Sequence, residues 1–411
     1  MGIRCHARSA AAFVALAVSL TAAADEADVF NLVIGRSALQ DDNVFRLAPS
    51  ANAQALLGSD RIWDRIDTTR LDLSLDKTIG RQRLRMDADM RRNRYWNFSR
   101  FDNDGSSLKG SLSWTLTDLI GGEVTSSSST SLSGFGNGQT QAPVRNINTV
   151  NNASANVSLR IHPAWHMVLG VSTSGSSNDS PQGSVANARI GGSSAALRYD
   201  SGGGTEAGLT SSLSKARYPN PQQVSLFFVD NSYDDTSLMA DVSVLVTGAS
   251  RLSATLGQTR RTMRQLTERN FSGPTGSVGW TWQPTGKSTL TLRRSRDLGA
   301  AGDLNASYVV NDGSSLSATW AAGAKTQVAL SLEHKQSRYL GDPVAVATAI
   351  PKRDDTLDSV ALSASYQALR TLKLDLSLRY DARNSNYDGT AATTDFRFHS
   401  RSASFNVEYT F

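Results

Sequence analysis

Between residues 70 and 91 polar side chains, most of them charged, fall at every second position in two runs. Arg70, Asp72 and Asp76 alternate with Leu71, Leu73 and Leu75. Beyond a tight turn at 77–81, Arg83, Arg85, Asp87, Asp89 and Arg91 alternate with Leu84, Met86, Ala88 and Met90. A second set, Lys373, Asp375, Arg379, Asp381 and Arg383, alternates with Leu372, Leu374, Leu376 and Leu378. The chemistry open to such rows is reversible ion recognition, because opposed rings of fixed charge orient and select solutes in channels. The same Arg–Asp pairs also neutralise each other and stiffen a wall, and the sequence leaves both roles open.

Other chemistry is poorly supported. The histidines are His6, His162, His166, His334 and His399, and none has the helical spacing of a metal site. His162 and His166 are four apart, but Pro163 puts a turn between them. Serine is so abundant that a Ser–His pairing carries no weight. Gly191-Gly192 and Gly202-Gly203-Gly204 have no helix behind them to cradle a phosphate. Arg260-Arg261 and Arg293-Arg294 are basic pairs with few aromatics nearby, so nucleic acid is not an expected partner. The reading is therefore a protein that is not an enzyme, with no catalytic residue, no metal and no cofactor.

Alternation of period two is the signature of strands, whose successive side chains point to opposite faces. It recurs along the chain: Leu108–Leu116, Ala153–Ile161, Trp165–Val171, Ala195–Tyr199, Leu238–Val246. Tight turns rich in Gly, Pro, Asn and Asp fall near 77–81, 118–122, 162–164, 200–204, 247–251, 283–287, 321–325 and 368–371. Longer polar connections separate them, at 97–106, 134–149, 178–184, 218–232, 263–270, 298–303, 339–356 and 384–394. Short on one side and long on the other is the pattern of an outer-membrane barrel, with periplasmic turns and extracellular loops.

Composition agrees. Hydrophobic residues make up 39% and mean hydropathy is −0.31, and no apolar run reaches the roughly 20 residues of a membrane-spanning helix. A barrel hides its apolar residues in alternation, so this leaves it open. At the N-terminus Arg4 and Arg8 precede the apolar stretch 10–20, and Ala22-Ala23-Ala24 offers a small-residue cleavage site, the layout of a secretory signal peptide over 1–24. The only cysteine, Cys5, lies within it, so the mature chain has no disulfide and no thiolate site. Formal net charge is +5, and 34 of the 42 basic residues are arginine. Without Arg4 and Arg8 the balance is 40 basic against 37 acidic residues, or +3. Arginine's planar fork suits carboxylate, phosphate and lipopolysaccharide contacts.

The class is all-β: a transmembrane, antiparallel, up-and-down outer-membrane β-barrel of about 18 strands, with 16 as the alternative. Residues 25–58 are a first strand (Val29–Arg36) with its external loop, or else an N-terminal plug, and 59–411 form the barrel. Both termini fall on the periplasmic side of a Gram-negative outer membrane. At the end of the chain Phe405, Val407, Tyr409 and Phe411 alternate with polar residues, a terminal strand of the kind read by the barrel-assembly machinery. Such an edge would invite aggregation in a soluble protein, and closure removes it. Trp165, Trp280, Trp282 and Trp320 near the short turns, with Tyr95, Trp96 and Phe98 near a long loop, fit interfacial girdles, whereas Trp114 reads as mid-strand. Charge facing lipid at mid-depth costs about 2–4 kcal/mol per residue, so the two charged sets are assigned to the lumen. Closure would bring them within two or three strands of each other.

Three blocks near the N-terminus carry a family likeness: Asp42-Asn43-Val44-Phe45-Arg46-Leu47, Gly80-Arg81-Gln82-Arg83-Leu84 and Asn93-Arg94-Tyr95. Arg145-Asn146, followed by a strand-turn-strand through His162-Pro163-Ala164-Trp165, joins them. Together they resemble a family of β-barrel porins, and within it the EpsL-type outer-membrane proteins of exopolysaccharide operons. The resemblance implies an outer-membrane conduit for export of an extracellular polysaccharide. Its partners would be outer-membrane lipids and lipopolysaccharide, the assembly machinery, the polysaccharide and periplasmic export components. It supplies no catalytic residues. A general or solute-specific porin and a non-conducting structural barrel are the alternatives.

Overall fold

The computed structural model describes residues 29–135, 143–224, 227–265, 269–300, 308–340, 352–388 and 395–411. The signal-peptide reading of 1–24 lies outside them. The strands are β1 (Val29–Asp41), β2 (Asp64–Ile79), β3 (Gln82–Tyr95), β4 (Asn103–Thr115), β5 (Ile120–Leu132), β6 (Ile147–His162), β7 (Trp165–Asn178), β8 (Ala188–Asp200) and β9 (Thr205–Arg217). They continue as β10 (Tyr233–Thr247), β11 (Ser250–Met263), β12 (Phe271–Thr285), β13 (Ser288–Ala300), β14 (Tyr308–Ala321), β15 (Thr326–Leu340), β16 (Asp354–Gln367), β17 (Leu372–Ser385) and β18 (Phe398–Thr410). Each pairs antiparallel with its neighbours in sequence, and β1 pairs with both β2 and β18, closing an 18-stranded sheet. A short hairpin, Gln222–Val224 with Phe227–Val229, stands apart from it.

Closure answers the count of 18 over 16, and it leaves that sheet without a free edge strand. The first strand runs five residues beyond Arg36, to Asp41, so the connection after it spans 42–63 and carries a one-turn helix, α1 (Ala53–Leu57). Turns on one rim are short: Gly80, at φ 61°, is one of only two residues between β2 and β3, a conformation glycine adopts without strain.

Partners directly opposite in a sheet point the same way, so register carries the face assignment around the barrel. Leu71 pairs with Ile34 and Met90, Leu112 with Leu84 and Val124, Leu169 with Val157 and Ala195. These residues define an apolar face, and most of the exposed large hydrophobic side chains lie on it. The other face is mainly polar. On β4 to β9 it is a wall of hydroxyls and amides, including Ser111, Thr125, Ser154, Ser172 and Ser194. Near the short-turn rim the apolar face carries Trp165 beside Tyr199, the stacked pair Trp280 and Trp282, and Tyr409 against Phe411. Trp114 belongs here too, one residue from the end of β4. Phe98 does not belong to a girdle: it is 5% exposed, inside a cluster with Phe45 and Phe101. Tyr95 shares the polar face with Ile66 and packs against that cluster. Alternation stops where β3 ends, so parity could not place Phe98.

Candidate functional site

The hairpin of β2 and β3 sets like charges opposite each other, Arg70 across from Arg91 and Asp72 across from Asp89. Such pairs repel, and the side chains resolve this along the strand and on the diagonal. Arg70 Nε donates to Asp72 at 2.7 Å and to Asp89 at 2.9 Å, and Arg91 reaches Asp89 at 2.7 Å. Asp76 is gripped by Arg83 through two bonds of 2.7 and 2.6 Å, with Arg85 adding a third at 3.1 Å. Asp87 stands in register with Lys109 on β4. Because these side chains are partly exposed, the pairs add little stability each. Their effect is to fix the positions of the charges.

The second set lies on β17. Lys373 Nζ approaches Asp375 at 3.1 Å and Glu408 at 3.4 Å, and Asn406 donates to both carboxylates. Arg379 forks onto Asp381 at 2.9 Å, and Ser359 donates to Asp381 at 2.6 Å. Arg383 lies 4.9 Å above the Phe398 ring. One register row joins the two sets: Lys373, Glu408, Gly35, Arg70 and Arg91 are partners in turn across β17, β18, β1, β2 and β3. The sets are thus three strands apart. Gly35 puts no side chain in the row; a Cβ there would make ordinary contacts, 3.6 Å from Glu408 Cγ and 3.8 Å from Arg70 Cβ. Glu408 and Gly35 were not singled out in the sequence, and only closure reveals their place.

At the long-loop rim the connections fold over the polar face. Asp64, fully buried, accepts from the backbone N–H groups of Arg65, Asn97 and Phe98 and so ties the 97–101 segment to β2. The Asp42–Leu47 block makes the matching clasp. Asp41 accepts from Arg46 and from Ser400, and Asn43 bonds the backbone of Leu47 and His399. This seats Phe45 against Phe98, Phe101 and Phe135 at ring distances of 4.8–4.9 Å. A second clasp joins Arg397 and Ser50 to Asp395. Burial pushes the Asp395 carboxyl up, but the bonds from Arg397 and Ser50 outweigh it and hold it below the usual carboxylate range. Arg353 pairs with Asp355 and stacks 3.6 Å over Phe396. The block that reads as a family motif is thus a loop clasp, a role invisible without its distant partners.

Among the described residues no group of three or more His, Cys, Asp or Glu side chains could hold a metal. Among the described residues no helix is long and apolar enough to cross a membrane, which leaves crossing by strands untouched.

No family model and no curated protein matches the chain. The fold itself is shared with outer-membrane proteins of Pseudomonas aeruginosa. OccK2 (OpdF) in complex with glucuronate aligns at 13% identity and a TM-score of 0.50, covering 94% of this chain and 99% of that one. OpdK with vanillate aligns at 11% identity and a TM-score of 0.51, again covering 94% and 99%. The chain is a closed 18-stranded antiparallel β-barrel, the fold of these outer-membrane proteins. The expectation of a conduit for polysaccharide export is overturned. The EpsL-type resemblance gains no support from any comparison, and the barrels that share the fold were solved with small solutes, glucuronate and vanillate.

Proposed function

We propose that the protein is a solute-specific outer-membrane porin taking up small, hydroxylated, charged molecules. The observation that supports this best is the row of held charges on the polar face, Lys373–Glu408–Gly35–Arg70–Arg91, which continues into the hydroxyl and amide wall of β4–β9. A barrel in lipid turns its apolar face outward, which gives this polar face to the lumen. Arg70, Asp72, Asp76, Arg83, Arg85, Asp87, Asp89 and Arg91, with Lys373, Asp375, Arg379, Asp381 and Arg383, then form a wall of alternating sign. Such a wall binds a charged solute weakly and repeatedly, and transit needs release as much as entry. Carboxylated ligands of the barrels that share the fold, glucuronate among them, fit the same reading. The short-turn rim, with both ends of the barrel chain, faces the periplasm in this reading. The final strand, Phe405, Val407, Tyr409 and Phe411, is its handle for the assembly machinery.

A non-conducting barrel draws on one observation, the loop clasps that fold over the polar face at the long-loop rim. Single-channel recording in planar bilayers separates the two. The porin reading expects discrete openings that glucuronate blocks in a concentration-dependent way, with less block by neutral glucose. A barrel that inserts and never conducts is the non-conducting one.

A further inference from the structure

One stretch of the apolar face carries a polar and charged row beside an apolar one. On β12 to β16, Val278, Arg294, Ser314, His334 and Asp358 are register partners in turn, on the same face as the row beside them, Trp280, Leu292, Leu316, Leu332 and Val360. The first row lies on the long-loop side of the second. Between them runs an open groove of about 600 Å³, floored by the apolar row and edged by Arg294 and His334. His334 Nδ1 contacts Asp358 at 2.7 Å, and both are about half exposed. Arg294 is exposed, and its one hydrogen bond among the described residues is to Ser314 Oγ, at 2.6 Å. Among the described residues no carboxylate pairs with it. Nearer the rim, Arg296 and Arg338 share Asp312 at 3.6 and 2.6 Å.

Most of the charge on this face lies toward the long-loop rim; Lys77, in register with Leu84 near the short turn, is an exception. Arg36, Arg92, Arg189 and Arg260 also point outward, each in the half of its strand nearer the long-loop rim. The face therefore runs from mainly apolar at the short-turn end to charged at the other, where these arginines stand among carboxylates such as Asp104, Asp312 and Asp358. A lone guanidinium beside acyl chains is costly. It needs an anion at its own depth, and its stem can reach along the surface to meet one. We propose that this groove seats one phosphate-bearing lipid of the outer leaflet. An acyl chain lies along Trp280, Leu292, Leu316, Leu332 and Val360, and the phosphate meets Arg294, with the His334 edge beside it. A second copy of the chain fits less well, because a strand face would have to offer a carboxylate at the same depth and fill a groove one row of side chains wide. The site is separate from the polar face and does not depend on conduction.

The test is native mass spectrometry of the full-length barrel in non-ionic detergent. It would be titrated with dioleoyl phosphatidic acid, dioleoyl phosphatidylcholine and inorganic phosphate. Phosphatidic acid is expected to bind about fivefold more tightly than phosphatidylcholine, the worth of one arginine near a charged headgroup at about 1 kcal/mol. Arg294→Gln should abolish the preference and Arg294→Lys should keep part of it, while millimolar phosphate leaves lipid adducts in place. Equal binding of the two lipids to the wild type overturns the proposal even if no variant folds. Displacement by phosphate alone would make the site one for a free anion. Loss of an oligomer on Arg294→Gln, with lipid binding unchanged, would make it an interface between copies.

Discussion

Replacing Asp89 with Asn removes the carboxylate that both Arg70 and Arg91 touch, at 2.9 and 2.7 Å, and leaves two opposed guanidiniums with Asp72 alone. The polar face gains one positive charge at that level. An ion passing about 7 Å away in a water-filled lumen feels this charge at about 0.6 kcal/mol before screening. At 10 mM salt the Debye length is ~30 Å and about 0.5 kcal/mol survives; at 1 M it is ~3 Å and almost none does. An anion is favoured and a cation disfavoured by the same amount, so the anion-to-cation permeability ratio should rise about fivefold at low salt, a ratio change worth about 1 kcal/mol. The assay is the reversal potential under a KCl gradient across a planar bilayer. Arg85→Ala, which removes one of the two arginine partners of Asp76 and one positive charge, should shift the ratio the opposite way. An unchanged ratio in both variants at 10 mM, with normal conductance, would show that these side chains do not line the path.

Three further outcomes follow from the geometry. Gly35→Val puts a branched side chain between Glu408 and Arg70, and single-channel conductance should fall with little change in thermal stability. Phe45→Ala empties the centre of the loop cluster, a loss of about 3–5 kcal/mol for a buried aromatic. Protease should then cut within 42–63, and the long-loop mouth should conduct more. Acid should loosen the second clasp. The Asp395 carboxyl sits below its ordinary range in the folded chain, so its contribution is present above the unfolded value and lost as pH falls through the folded one. Hydrogen exchange around 395–397 should rise at low pH, and Asp395→Asn should show the fast exchange already at pH 7.

The barrel was largely legible because its rules are local. Period-two alternation around Leu71 and Leu84 named the faces, and the contrast of short and long connections named the rims. Phe405–Phe411 marked the closing strand. What escaped was whatever depends on residues far apart in sequence. Phe45, Phe98, Phe101 and Phe135 meet only when three connections fold over one face, so the Asp42–Leu47 block reads as a motif without a role. Glu408 and Gly35 complete the charged row only through closure of β18 on β1. Arg294, seen as half of a basic pair, gains its meaning from His334 and Asp358, two and three strands away. The family likeness misdirected function because its blocks build a clasp and a turn, structural features that carry no substrate information.

The central claim is a water-filled, solute-selective lumen. Swelling of proteoliposomes that hold the purified full-length barrel tests it most directly. Glucuronate should enter faster than a neutral hexose of the same size and saturate with concentration, with Asp89→Asn raising its rate and a long polysaccharide staying out. Absence of swelling with any small solute, from barrels shown to be inserted and folded, would contradict the account.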